Sequence, residues 1–296
     1  MDVVGLLDGF GRSLRDGRLS QRTVKAYLTD AAILMESAGI GPGYDAAAVS
    51  RIGKEEVSGY ISAGGASPAT QSRRRASAST LFKYCMGLAG PAGTGGLVEH
   101  NFALDVPMPD AGRDSMISVT CSEYRRMMGR LGRLSPGNFS NARDACMMGM
   151  LYEEGLRPGE VLAVRYADMA REQGNERVRV PGTRREVALA VPTLRRMGTY
   201  EGAFETRFGW PLAEEPKKPY FRNRLGQPIT DKSLRRRMAE IGLEALRRHD
   251  INAMAIYNGH VRQLFDRGMT PAEVAEREGI TVQTARIMAV SLGYDT

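Results

Sequence analysis

The stretch Leu151-Tyr152-Glu153-Glu154-Gly155-Leu156-Arg157-Pro158-Gly159-Glu160-Val161-Leu162-Ala163-Val164-Arg165-Tyr166-Ala167-Asp168 sets the reading of the 296-residue chain. A helix over about Ala142 to Glu154 runs into it, with Met147, Met148, Met150 and Leu151 as its core side. The methionines read as packing residues, since their flexible thioethers fill irregular gaps, rather than as a cofactor box. Arg157 stands just past that helix. Alone, an arginine at a helix end is a solvated charge.

Downstream, Val178-Arg179-Val180 and Val187-Ala188-Leu189-Ala190-Val191 alternate about Pro181-Gly182, the pattern of a hairpin. Helices follow from about Lys232 to Arg248, from about Ala253 to Arg267, and from Pro271 onward. Upstream, a helix is expected from Ser122, and the first 90 residues read as helices. Ser20 is placed to cap a helix whose face carries Val24, Tyr27, Leu28 and Ala31. A short helix from Lys54 to Ser62 and a new start at Ser67-Pro68 come next. Between residues 90 and 115, Pro91, Gly93, Gly95, Gly96, Pro107, Pro109 and Gly112 disfavour a packed helix and mark a linker. The fold class is therefore mainly α with a small β-hairpin or sheet, in two domains, 1–108 and 109–296.

Hydrophobic residues make up 42% and charged residues 25%, an ordinary globular mix. No apolar run approaches the ~20 residues that span a bilayer, and the N-terminus does not read as a signal peptide. Cys85, Cys121 and Cys146 are odd in number and widely spaced, so neither a zinc site nor a disulfide framework is expected, and no cofactor. Reduced thiols suit a cytoplasmic protein. Basic and acidic side chains balance over residues 1–110, so the whole net charge of +7 falls in 111–296. Arginine dominates there, and its planar fork suits phosphate. Such an excess suits a polyanion partner, and no membrane is expected.

The eighteen-residue stretch resembles the first catalytic box of the tyrosine recombinases (phage integrases): glycine-leucine-arginine, then glutamate-leucine, then an aspartate. The resemblance makes Arg157 the phosphate anchor and Glu160 the residue that buttresses its turn. It extends further. Residues Leu19 to Tyr27 are similar to the opening of the family's core-binding domain. Ser67 to Arg75, followed by Leu81-Phe82-Lys83-Tyr84, resembles that domain's last DNA-facing helix. Asn101-Phe102-Ala103 resembles its exit, with Phe102 in place of the usual proline. Tyr220 to Thr230 is similar to the segment before the second box. The resemblance implies an N-terminal helical core-binding domain and a C-terminal catalytic-like domain.

The departures bear on mechanism. The family's hairpin lysine, a general acid, has no counterpart in Gly182-Thr183-Arg184-Arg185, and arginine stays charged at ordinary pH. The second box should read histidine, two residues, arginine. One register offers His249 and Asn252; the other, set by Val261 to Gly268, offers Met254 and Tyr257. The nucleophilic tyrosine position falls at Met288 or Ala289, which cannot attack phosphorus. An alternative set is His260, Arg262 and Tyr294, with Arg262 32 residues before Tyr294.

Two functions follow. One is a sequence-directed DNA-binding protein without catalysis, acting as transcriptional regulator, recombination accessory or architectural factor. The other is a divergent recombinase using Tyr294. The expected DNA contacts are Arg73, Arg74, Arg75, Lys83, Arg157, Arg184, Arg185, Arg235, Arg236 and Arg237. Gln283, Thr284 and Arg286 join them if Pro271 to Arg286 forms a helix-turn-helix. A homo-oligomer on DNA, or a partner recombinase or regulator, is also expected.

Overall fold

The computed structural model describes residues 1–17, 19–88, 96–107, 116–133 and 138–295. The linker residues Pro91, Gly93, Gly95, Pro109 and Gly112 lie outside the described residues. Contacts divide the chain into two units, Met1–Gly112 and Arg113–Thr296.

The first unit is helical. Helix α1 spans Val3–Asp16, capped by Asp2, whose Oδ1 accepts from the Gly5 amide at 2.8 Å. The sequence reading does not single α1 out, although Val3, Leu6, Phe10 and Leu14 recur at helical spacing and are buried. Helix α2, Gln21–Ser37, begins as expected at Ser20, whose hydroxyl accepts from the Thr23 amide at 3.1 Å. Helix α3 covers Lys54–Ser62 and α4 covers Pro68–Met86, with Ser67 as cap and Pro68 in the first turn, where no amide hydrogen is needed. Leu6, Phe10, Leu34, Val49, Ile52, Leu81 and Phe82 form the centre of this core. Asn101 closes it, donating its side-chain amide to the Ser79 carbonyl at 3.1 Å.

The second unit is built around α6, Phe139–Tyr152, which follows α5, Cys121–Arg133. Cys146, Met147, Met148, Met150 and Leu151 of α6 are all buried, so the methionine stripe is core. Helix α7, Pro158–Ala163, leads into a three-stranded antiparallel sheet, β1 (Met169–Ala170), β2 (Arg177–Arg179) and β3 (Glu186–Ala188), in that order. The expected hairpin is β2–β3, with Val178 opposite Val187; β1 adds an edge that the sequence pattern does not show.

Helix α8, Val191–Phe208, packs along α6 and replaces the extended end expected for the hairpin at Val191. Gly198 and Gly202 obscure it in the sequence, yet Pro192 starts it, and Thr193, Met197, Tyr200 and Phe204 form its buried stripe. Helices α9 (Asp231–Leu246), α10 (Ala253–Asp266), α11 (Pro271–Glu278) and α12 (Val282–Leu292) complete the unit. The last two dock on α10 through a separate small core of Tyr257, Val261, Leu264, Val274, Ala275, Ala285, Met288 and Ala289. No described helix is long and apolar enough to cross a membrane.

Candidate functional site

The site grows from the junction of α6 and α7. Gly155 reverses the chain with φ +69°, and its missing side chain leaves room for the His260 ring. Arg157 then adopts an extended backbone as the cap of α7, and Pro158 occupies the first helical position. Glu160 turns back so that its Oε2 accepts from the Arg157 amide at 2.7 Å, which fixes the turn.

Three other segments converge there. Arg185, from the β2–β3 turn, donates to Glu160 Oε2 at 2.8 Å and to the Gly155 carbonyl at 3.2 Å. Its other nitrogen donates to the Glu278 carbonyl at 3.1 Å and to Glu278 Oε2 at 3.2 Å. Arg157 Nη2 also donates to the Glu278 carbonyl, at 2.6 Å. From α10, the Tyr257 hydroxyl donates to Glu278 Oε2 at 3.1 Å. His260 Nδ1 donates to the Tyr152 carbonyl at 2.9 Å, and its Nε2 lies 3.3 Å from Glu278 Oε1. The side chain of Glu278 is 2% exposed and that of Arg157 is 34%, so the cluster is buried at one end and open at the other.

Two guanidinium groups here face two carboxylates, and the charges balance before His260 is counted. The end of α11, where helix carbonyls carry partial negative charge, sits against both arginines. Burial pushes the Glu278 carboxyl up, but His260, Arg185 and the Tyr257 hydroxyl outweigh it and hold the group below the usual carboxylate range. The guanidinium groups make charge-assisted hydrogen bonds to anionic oxygens, here those of Glu160 and Glu278.

The cluster thus unites Arg157, Arg185 and His260. Tyr257 joins it, while Met254 is exposed. In the other register Asn252 caps α10, its Oδ1 accepting from the Met254 amide at 2.9 Å, and His249 is exposed. The Tyr294 hydroxyl donates to Asp266 and, at 3.3 Å, to the Arg262 carbonyl; its ring packs on Phe265. Burial and the Asp266 carboxylate push that hydroxyl up to about 12. Arg262 reaches Ser118 Oγ at 3.4 Å. None of these contacts joins Tyr294 or Arg262 to Arg157. Met288 and Ala289 are buried in the α10–α12 core.

Glu278 is the residue that sequence reasoning misses. Its signal is an acidic side chain on the last turn of a helix, before the left-handed Gly279 that ends it, where the helix dipole disfavours negative charge.

The charged runs divide. Arg73 pairs with the buried Asp30. Arg74 donates to the carbonyls of Tyr60 at 2.9 Å and Ala63 at 2.9 Å, and Arg75 to Val106 at 2.7 Å. All three arginines thus tie α4 to its own unit. Arg73→Ala would leave Asp30 buried without its cation, so a loss of about 1–3 kcal/mol is expected. A thermal melt of the full chain checks it; an unchanged midpoint would show that Asp30 finds water.

In the second unit, Arg237 holds the buried Asp144 at 2.5 Å, whereas Arg235 and Arg236 are exposed and pair within α9 with Asp231 and Glu240. Arg236, Arg237, Arg143 and Arg224 line a cleft of about 480 Å³. Arg184 at the hairpin tip and Lys83 on α4 are exposed, with no partner among the described residues. Gln283, Thr284 and Arg286 lie exposed on α12, and a short connection through Gly279 joins it to α11.

The comparisons with known proteins bear on this arrangement. No family model matches the chain. Tyrosine recombinase XerC of Mesorhizobium japonicum is 27% identical over 238 residues, 77% of this chain and 71% of that protein. The XerH site-specific recombinase, in a post-cleavage complex with palindromic difH substrate, superposes with a TM-score of 0.67 at 16% identity, over 90% of this chain and 75% of that one. The fold is that of the tyrosine recombinases. Lambda integrase 75–356, a dimer bound to a COC' core site, gives 0.66 at 13% identity over 100% of this chain and 98% of its own. The Tn1549 transposon integrase with transposon right end DNA gives 0.65 at 13% identity, over 100% and 96%. On this recombinase fold, the glycine-leucine-arginine turn stands at the α6–α7 junction, and the hairpin brings Arg185 to it.

Proposed function

We propose that this chain is a duplex DNA-binding protein on a tyrosine recombinase fold that holds DNA phosphate without cutting it. The observation that carries the reading is the Arg157–Arg185 cluster, two guanidinium groups converging from different segments, where the neighbouring Tyr257 hydroxyl is engaged with Glu278. Tyr294 is engaged with Asp266 instead. Cleavage of a phosphodiester needs cationic donors on the phosphoryl oxygens, a proton for the leaving oxygen and an attacking group. Tyr257 in place of an arginine, and a hairpin without lysine, remove two of these. The transposon right end DNA bound to the Tn1549 integrase supports DNA as partner here, and the lambda integrase dimer on its core site supports assembly on it. Arg184, Lys83 and the α9 arginines supply further phosphate contacts, with Gln283, Thr284 and Arg286 of the α11–α12 pair facing the groove. A regulatory, accessory or architectural role at the nucleoid follows from binding without cleavage.

Arg157→Ala is expected to weaken duplex binding by about 1–3 kcal/mol, whereas Tyr294→Phe leaves it unchanged and no covalent adduct forms on a nicked suicide substrate. A Tyr294-dependent adduct would instead establish an active recombinase. Affinity should also fall with salt, with a logarithmic slope of about 0.9 per phosphate contacted. A flat response in fluorescence titrations across a fourfold rise in salt would exclude phosphate contact as the basis of binding.

A further inference from the structure

We propose that Glu278 is an internal anion, seated where the Arg157–Arg185 pocket takes a phosphodiester, and that DNA phosphate enters only by displacing it. This deepens the function proposed above and rests on that reading. The geometry points to it in three ways. The donors that reach the Glu278 carboxylate, Arg185 Nη1 at 3.2 Å and the Tyr257 hydroxyl at 3.1 Å, come from two elements and converge on one oxygen, Oε2. His260 Nε2 is close to the carboxylate but off line for a hydrogen bond, and it is buried with no other partner.

Charge gives the second argument. Arg157 and Arg185 are balanced by Glu160 and Glu278. A phosphodiester added to that set leaves an uncompensated buried negative charge, which is strongly unfavourable. With the Glu278 carboxylate withdrawn, the set carries one net positive charge and matches one phosphodiester. Glu160 cannot be the displaced group, because it accepts from the Arg157 amide and builds the turn itself.

The third argument is position. Glu278 is the last residue of α11, followed by Gly279 at φ +61°, and Arg157 holds it through its backbone carbonyl. A shift of this helix end moves the carboxylate and both arginine contacts together. The seat is therefore closed by one helix end.

The test uses the full chain, with inorganic phosphate as probe and thermal melting as readout. Phosphate is expected to leave the native melting midpoint flat and to raise that of Glu278→Gln by about 3 °C at ten times the dissociation constant. Adding Arg157→Gln to that variant should abolish the response. A flat Glu278→Gln, a native chain stabilised equally, or a response that survives Arg157→Gln would each overturn the proposal. If Glu278→Gln does not fold, Glu278→Ala takes its place. Failure of both to fold would make Glu278 a structural counter-ion and overturn it as well. Duplex titration forms a separate arm, in which Glu278→Gln should bind about tenfold more tightly than the native chain. Absence of duplex binding by both chains would sink the DNA-binding reading while leaving the phosphate result legible.

Discussion

Replacing Arg185 by alanine is expected to destabilise the second unit by about 3–5 kcal/mol, the range for removing one partner of a buried ion pair. Arg185 donates to four acceptors from three segments, the Gly155 carbonyl, Glu160, and the carbonyl and carboxylate of Glu278. Its loss leaves the buried Glu278 and the partly buried Glu160 short of a cation. In a unit of this size the melting midpoint should drop by about 10 °C, measured by circular dichroism on the full chain. Arg185→Lys should recover little, because one ammonium cannot span acceptors that a planar fork reaches on two sides. A drop of a degree or two would show that the cluster contributes little to the fold. The pH profile gives a second reading. Because Glu278 is held below the value of an unfolded carboxyl, its stabilising contribution is complete above the usual carboxylate range. It is lost as pH falls through the lower, folded value. Arg185→Ala should reduce that acid-side loss.

Gly155→Ala should be comparably severe for steric reasons. A side chain there would have to adopt φ +69°, and its Cβ would stand 2.4 Å from His260 Nε2 and 2.6 Å from the adjoining ring carbon. The left-handed backbone costs about 1–2 kcal/mol, and overpacking a fixed ring adds about 1–3 kcal/mol. The ring cannot retreat, since its Nδ1 is bonded to the Tyr152 carbonyl. Gly159, four residues on in α7, has open space where its Cβ would go. Gly159→Ala should therefore be neutral or stabilise by up to ~1 kcal/mol. Equal melting midpoints for the two variants would refute the close-contact account of Gly155.

Much of this arrangement is legible in the sequence where local chemistry dictates structure. Ser20 and Ser67 start helices because their hydroxyls satisfy free amides, and the alternation about Pro181-Gly182 gives the hairpin. Arg157 is legible from its eighteen-residue setting. Helix α8 escapes because two glycines dilute a stripe that tertiary packing against α6 nonetheless selects. The contacts of Arg73 to Arg75 escape for a related reason: the three charges are adjacent in sequence, but a helix sends neighbours in different directions, to Asp30, to Tyr60 and Ala63, and to Val106. Glu278 is 121 residues from Arg157, and only the folded chain brings the two together.

The separate small core beneath α11 and α12 has a kinetic consequence. Helix α6 is enclosed along nearly its whole length, so its amides should exchange with solvent only on global unfolding. The α11–α12 pair rests on α10, on Met116 and on the charged cluster at Glu278, so it can part from the domain as one cooperative piece at lower free energy. Its backbone amides should exchange together, sooner than those of α6, and at a rate that ionic strength modulates. The second unit would then breathe at its C-terminal end while its centre stays shut.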